Sequence, residues 1–312
     1  MSMTAENSKS SDYSGLIYDG SAKIVIGDSS FPRKCRFCGG IEPNVSFDND
    51  TAHAISESLG NVNFICNDEC KSCNHQFSII EQSFYRAHAP ILMMCGIEGK
   101  DNGKRNSDTK SVAGADCRIS LSDKGMKIAL KKEDFEKFYN QATTNHIFNL
   151  DPILKFEKYK LIDVYKSLCK YIISMLPCEY LNHFRLTIDW LMGKHTFEKL
   201  PNVVTTITQL TQHPILGYFI RQNNESYPYA IGFFRFATIT YMFIIPGANN
   251  ELDYPDDEWL LNLADKLHQG NSTWYSKDLN SNEKIAPKFP IEINNVHLGS
   301  TCFIGTKEQF GL

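Results

Sequence analysis

Read for spacing alone, the clearest period in the chain lies between residues 70 and 84. Cys70, Cys73, Phe77, Ile80 and Phe84 recur at intervals of 3, 4, 3 and 4, the stripe that one face of an amphipathic α-helix presents. Asn67, Asp68 and Glu69 stand before it as a helix start, a capping side chain followed by acids where the helix dipole favours negative charge. Upstream, Leu16-Ile17-Tyr18 and Lys23–Ile26 predict short strands. Downstream, Ile162, Tyr165, Leu168, Cys169, Ile172 and Leu176 carry helical spacing through Phe156–Leu176, and Pro177 ends it. A second helix is expected over Cys178–Met192, with Tyr180, Leu181, Phe184, Ile188 and Leu191 inward. Ile215–Ile220, Tyr227–Phe236 and Thr238–Ile245 read as an antiparallel meander whose first turn is Asn223-Asn224-Glu225. Glu258–His268 closes the helical set and Cys302–Gly305 forms a last strand. Asp116–Leu130 alternates like a hairpin turned at Asp123-Lys124-Gly125. The class predicted is α+β.

The 312 residues suffice for two domains. Residues 1–14 are polar and Ser-rich, which predicts a disordered tail. An N-terminal module is expected over 15–98, a basic loop and hairpin over 99–132, and an α+β domain with helices and an antiparallel sheet over 133–312. The net charge of −4 argues against a positive coat over the whole surface, so any nucleic-acid contact must be local. From Lys100 to Lys132 there are nine Lys/Arg against four Asp/Glu. That strip is either a solvated face or a support for a phosphate backbone. Ten cysteines without a secretory leader suggest metal ligands and buried thiols. Cys95, Cys117, Cys169, Cys178 and Cys302 are scattered among apolar residues as core. No apolar run reaches the ~20 residues of a membrane span, and a soluble, cytoplasmic protein is expected.

Chemistry concentrates between Cys35 and Phe84. Two Cys-x-x-Cys pairs, Cys35/Cys38 and Cys70/Cys73, suit a closed tetrahedral zinc site, each pair biting the metal from one tight turn. Cys66 is an alternative ligand ranked below them. Between the pairs lies a hairpin-length segment with one histidine, His53. In the second half, His146, His183, His195, His213, His268 and His297 lack the spacing of a metal cluster. Glu251, Asp253, Asp256, Asp257 and Glu258 read as a solvated lead-in to the last helix. There is no Walker phosphate loop and no dinucleotide fingerprint.

The run Ala52-His53-Ala54-Ile55-Ser56-Glu57-Ser58-Leu59-Gly60-Asn61, followed by Cys70-Lys71-Ser72-Cys73-Asn74-His75-Gln76-Phe77, resembles the HNH endonucleases, ββα-metal nucleases with a two Cys-x-x-Cys zinc clamp. The match covers about fifty residues. The resemblance implies a metal-dependent endonuclease that hydrolyses DNA phosphodiester bonds, with double-stranded DNA as partner. His53 is then the general base, which a near-neutral pKa suits. Asn67 or Asn63 orients it, Asn67 having the favoured spacing beside its plain reading as a helix cap. Asn74 helps hold a single Mg²⁺ or other divalent ion, distinct from the structural zinc on Cys35, Cys38, Cys70 and Cys73. The resemblance also implies a role in bacterial defence against phage, with a sensor or ATPase partner, and the C-terminal α+β domain is expected to serve substrate positioning, self-association or partner contact. One departure stands out. The family carries an acid or histidine before the base as second metal ligand, and Ala52 stands there instead, leaving Asp50, Glu57 or His75 as substitutes. The rival readings are a catalytically inactive zinc module that binds nucleic acid or a protein, and a nuclease that cuts RNA.

Overall fold

The computed structural model describes residues 5–9, 12–47, 52–97, 106–110, 116–122, 125–130, 147–150, 153–155, 157–222, 225–267, 272–286, 288–290 and 293–297. The chain opens with strands β1 (Ala5–Lys9) and β2 (Tyr13–Asp19), paired antiparallel. Ala5–Lys9 is therefore a strand where composition predicted a disordered tail, because main-chain hydrogen bonds to a neighbour need no apolar side chain. β3 (Ile24–Ile26) runs parallel to β5 (Phe64–Cys66), which pairs antiparallel with the two-residue β4 (Ala52–His53). Helix α1 (Lys71–Met94) follows and extends the predicted stripe through Pro90. Its start differs from expectation. Cys70 is the N-cap, with no side-chain capping bond, so Asn67, Asp68 and Glu69 precede the helix.

The chain then enters strands β6 (Asn106–Lys110), β7 (Asp116–Ser122), β8 (Gly125–Leu130), β9 (Ile147–Leu150) and β10 (Ile153–Lys155). β7 and β8 form the predicted hairpin, with Ser122 opposite Gly125. Its turn residues Asp123 and Lys124 lie outside the described residues. β6 is a strand within the segment expected as loop. β11 (Tyr159–Lys160) leads into α2 (Leu161–Met175), which matches the helix predicted up to Pro177. The second predicted helix divides into a 3-10 segment, Cys178–Phe184, and α3 (Arg185–Leu191).

The expected three-strand meander is one long hairpin, β12 (Val203–Arg221) and β13 (Ala230–Ile244). Ala237 takes a left-handed φ of 46° where the pairing register shifts. The interruption between the two predicted strands is thus an irregularity inside β13, not a strand end. Helix α4 (Asp257–Leu267), β14 (Tyr275–Lys277), β15 (Lys284–Ile285), β16 (Lys288–Pro290) and β17 (Ile293–His297) complete the described elements. Cys302–Gly305 lies outside them. Mixed helices and largely antiparallel sheets make the protein α+β, as expected.

Contacts divide the chain into residues 1–103 with 158–285, and residues 104–157 with 286–312. This division cuts the chain differently from the boundaries suggested by composition at 98/99 and 132/133. In the first unit, β1-β2-β12-β13 form a sheet with β14 beside β12, and a small sheet runs β3-β5-β4. In the second, β16-β10-β6-β7-β8 form one sheet and β17 pairs β9. The first unit coheres because α1 is apolar on more than one side. Phe84 packs edge-on to Tyr171 of α2 at 5.6 Å and lies 5.4 Å from Phe236 of β13. His88 is buried beside it, donating from Nδ1 to the Phe84 carbonyl and accepting at Nε2 from the Tyr241 hydroxyl, each at 2.7 Å. Burial lowers its pKa to about 4 and keeps it neutral. Among the described residues no helix is long and apolar enough to cross a membrane.

Candidate metal centre

The knuckle Cys35-Arg36-Phe37-Cys38-Gly39-Gly40 turns back on itself through hydrogen bonds from Gly39 N–H to the Cys35 carbonyl and from Cys35 N–H to the Gly40 carbonyl. Gly39 has a left-handed φ of 74°, a conformation that favours glycine. Phe37, fully buried, meets Phe77 of α1 edge-on at 4.6 Å. That packing sets the knuckle over the first turn of the helix, where Cys70 and Cys73 stand. The four sulfurs lie within 4.8 Å of one another, with Cys38 and Cys70 at 3.7 Å. Tetrahedral thiolate ligation at a Zn–S length of about 2.3 Å requires sulfurs about 3.8 Å apart. The donor set therefore fits a structural metal ion such as zinc. The Cys73 thiol donates to Cys35 and lowers its pKa, with help from the Cys70 N–H. Cys66 is not in the cluster. It is buried and donates to Asp68 at 3.4 Å, and burial pushes its pKa well up. Cys169 is core as expected, Cys95 is partly buried, and Cys178 is exposed.

His53 sits on β4 directly before a loop whose shape depends on two residues. Asn61 is buried; its amide donates to the Ile55 and Phe64 carbonyls while its oxygen accepts from the Asn63 and Phe64 N–H groups. Gly60, at φ 82°, ends the short 3-10 turn Glu57–Leu59. This turn brings Glu57 back to His53, with Nε2 and Oε1 3.0 Å apart and both side chains about one-third exposed. Ala52 is buried, as are Ala54 and Ile55, so His53 and Glu57 are, with Ser56 and Ser58, the partly exposed side chains of this segment. Asp50 lies outside the described residues.

Asn67 is half-buried on the link between β5 and α1, with its N–H bound to the Ile26 carbonyl. It does not cap α1, because the N-cap position is taken by Cys70, three residues later. Asn63 donates from its amide to the Gly20 carbonyl at 2.6 Å. Asn74 occupies the first turn of α1, half-buried, and its N–H bonds to the Cys70 carbonyl. His75 is exposed.

Two buried cations join this region to residues 158–285. Arg36, inside the first Cys-x-x-Cys, pairs with Asp68 and donates to the carbonyls of Ile173, Ser174 and Leu176 at 2.8–3.1 Å. It thus neutralises Asp68 and caps the C-terminal end of α2, where positive charge is favoured. Lys170 of α2 is 1% exposed, 3.0 Å from Glu81 and 3.4 Å from Glu69. It also donates to the carbonyls of His53 and Ala54 at 3.3 and 3.2 Å and lies 5.8 Å from the Phe77 ring centre. Burial alone would drive off its proton, but the two carboxylates outweigh that and hold it charged well above the usual lysine range. One ammonium facing two buried acids under-compensates them. Burial raises Glu81, and raises Glu69 to about 7 against the pull of Lys170. Asp68 and Glu69 are therefore ion-pair partners, not first-turn acids. Neither cation was singled out from sequence. A signal existed for Lys170, the one charge inside the largely apolar run Leu168–Leu176.

Comparison with family models, curated proteins and solved structures finds no match to this chain.

Proposed function

We propose that the chain is a metal-dependent endonuclease of the HNH type, cutting DNA. The observation that carries this reading is the His53–Glu57 pair, about one-third exposed on a strand–loop–strand segment that lies along the chain between the two halves of a four-cysteine clamp. Such a segment presents a polar pair at the surface while Ala54, Ile55, Leu59 and Phe64 anchor it in the core and the clamp fixes the knuckle to α1. Nε2 faces Glu57 and Nδ1 is buried, so proton exchange with water runs through Nε2. Asn67, on the β5–α1 link, and Asn74, in the first helical turn, are assigned to ordering the base and a divalent ion by the resemblance. That ion, Mg²⁺ or a similar cation, supplies charge neutralisation at the phosphate. Glu57, 3.0 Å from His53 Nε2, takes over the place that Ala52 leaves empty. The four cysteines hold zinc and take no part in the reaction.

The test is incubation of the purified protein with plasmid DNA and Mg²⁺, Mn²⁺ or Ni²⁺, with His53→Ala alongside. Cleavage by the parent and not by the variant supports the reading, and equal cleavage by both refutes the assignment of His53. Burial of Ala52 favours one second reading, an inactive zinc module that binds nucleic acid or a protein. Binding without cleavage of DNA or RNA under every ion would select it.

A further inference from the structure

β4 is only two residues long and lies at the edge of its sheet. One side is held by β5, with Ala52 opposite Cys66, His53 opposite Ile65, and Ala54 N–H bound to the Phe64 carbonyl. The other side faces α2. Lys170 fills that position, its ammonium lying 3.3 Å from the His53 carbonyl and 3.2 Å from the next. A lysine so buried is uncommon, and its stem crosses from a helix more than a hundred residues later in the chain. Its two other partners, Glu69 and Glu81, come from the approach to α1 and from α1 itself. A single charged group thus ties together the strand bearing His53, the helix bearing Cys73, and α2. We propose that Lys170 is a positioning residue for His53, so that α2 belongs to the working site and is not a separate substrate domain. This rests on the nuclease reading for its catalytic consequence, but not for the hold on the strand. An edge strand with one side released can shift by a fraction of an ångström or more, and displacement of about 1 Å at a reacting group costs about 10²-fold in rate.

The experiment compares the full-length zinc-loaded parent with Lys170→Met and with Lys170→Met/Glu69→Gln/Glu81→Gln. The triple variant removes the buried carboxylates that the single change would leave unpaired. Zinc content, melting temperature, kcat and KM on plasmid DNA with Mg²⁺, and amide hydrogen exchange are read together. The expected result in the triple variant is retained zinc and a folded protein, with kcat down about 10²-fold and KM little changed. Exchange should quicken at the Ala54 amide and not at Asn67, whose N–H is bound to Ile26 on the side that Lys170 does not touch. Unchanged Ala54 exchange and unchanged kcat would overturn the proposal. So would loss of zinc and cooperative melting in both variants, which would make Lys170 structural only. Selective loosening at Ala54 with a parent that cuts nothing would uphold the hold on His53 and sink the nuclease reading instead.

Discussion

Replacing Arg36 by Ala should unfold more than the knuckle that contains it. Arg36 is 4% exposed and Asp68 is 3% exposed. Removing the cation strands a carboxylate in a buried site and frees three carbonyls at the end of α2. Breaking a buried ion pair from one side costs about 3–5 kcal/mol. The carbonyls add little beyond that, because a chain end relaxes and rehydrates more easily than an enclosed charge. Against a domain stability of about 5–15 kcal/mol, this is a large fraction. For a unit of this size each kcal/mol moves the melting temperature by about 2–4 °C, so a drop of about 10 °C is expected. The assay is urea and thermal unfolding of zinc-loaded protein, followed by fluorescence of Trp190, which is buried behind α2 and far from the knuckle in sequence. A cycle with Asp68→Asn and the double variant isolates the pair. The double variant should be more stable than Arg36→Ala, since the stranded charge is gone. A loss under about 1 kcal/mol, or a Trp190 transition that stays put while zinc is lost, would refute the claim that knuckle and α2 form one cooperative unit.

Other outcomes follow from the same geometry. The protein should carry about one zinc per chain; Cys73→Ser should lose it and Cys66→Ser should keep it, as read by metal analysis after dialysis. His53→Ala should lower cleavage by about 10²–10⁴-fold while zinc content and melting temperature stay near the parent. Ala52→Asp should destabilise the protein and not tighten metal binding, because position 52 faces the core; tighter Mg²⁺ dependence in that variant would contradict it. His88 should impose an acid limit. Its folded pKa of about 4 lies below the unfolded value, so the unfolded state takes up the proton first and stability falls as pH drops from about 6.5 toward 4. Between pH 7 and 5 the parent should lose about 2 kcal/mol more than His88→Gln in urea titrations, and parallel losses would argue against a neutral buried imidazole.

What the sequence by itself determined is local and periodic. The 3-4-3-4 stripe specifies a helix face whatever it packs against, and Cys73, Phe77 and Phe84 are buried on α1 as that spacing requires. Two Cys-x-x-Cys turns bring ligands together in pairs over four residues, so the metal set was legible without knowing the fold. The α+β class, α2 up to Pro177 and the hairpin over Asp116–Leu130 were legible for the same reason. The tertiary structure decided everything that depends on partners distant along the chain. Asp68 and Glu69 look like helix-start acids because that is where solvated acids sit, yet buried cations 32 residues before the one and 101 after the other claim them. Glu57 could be paired with His53 only once Gly60 and Asn61 had set the loop. The long β12–β13 hairpin read as three strands because alternation lapses at the irregularity near Ala237, while main-chain pairing continues past it. Above all, Lys170 carries no motif. Its place beside the His53 carbonyl comes from the packing of α2 against α1, and a buried ammonium is stable only where folding has already assembled the oxygens around it.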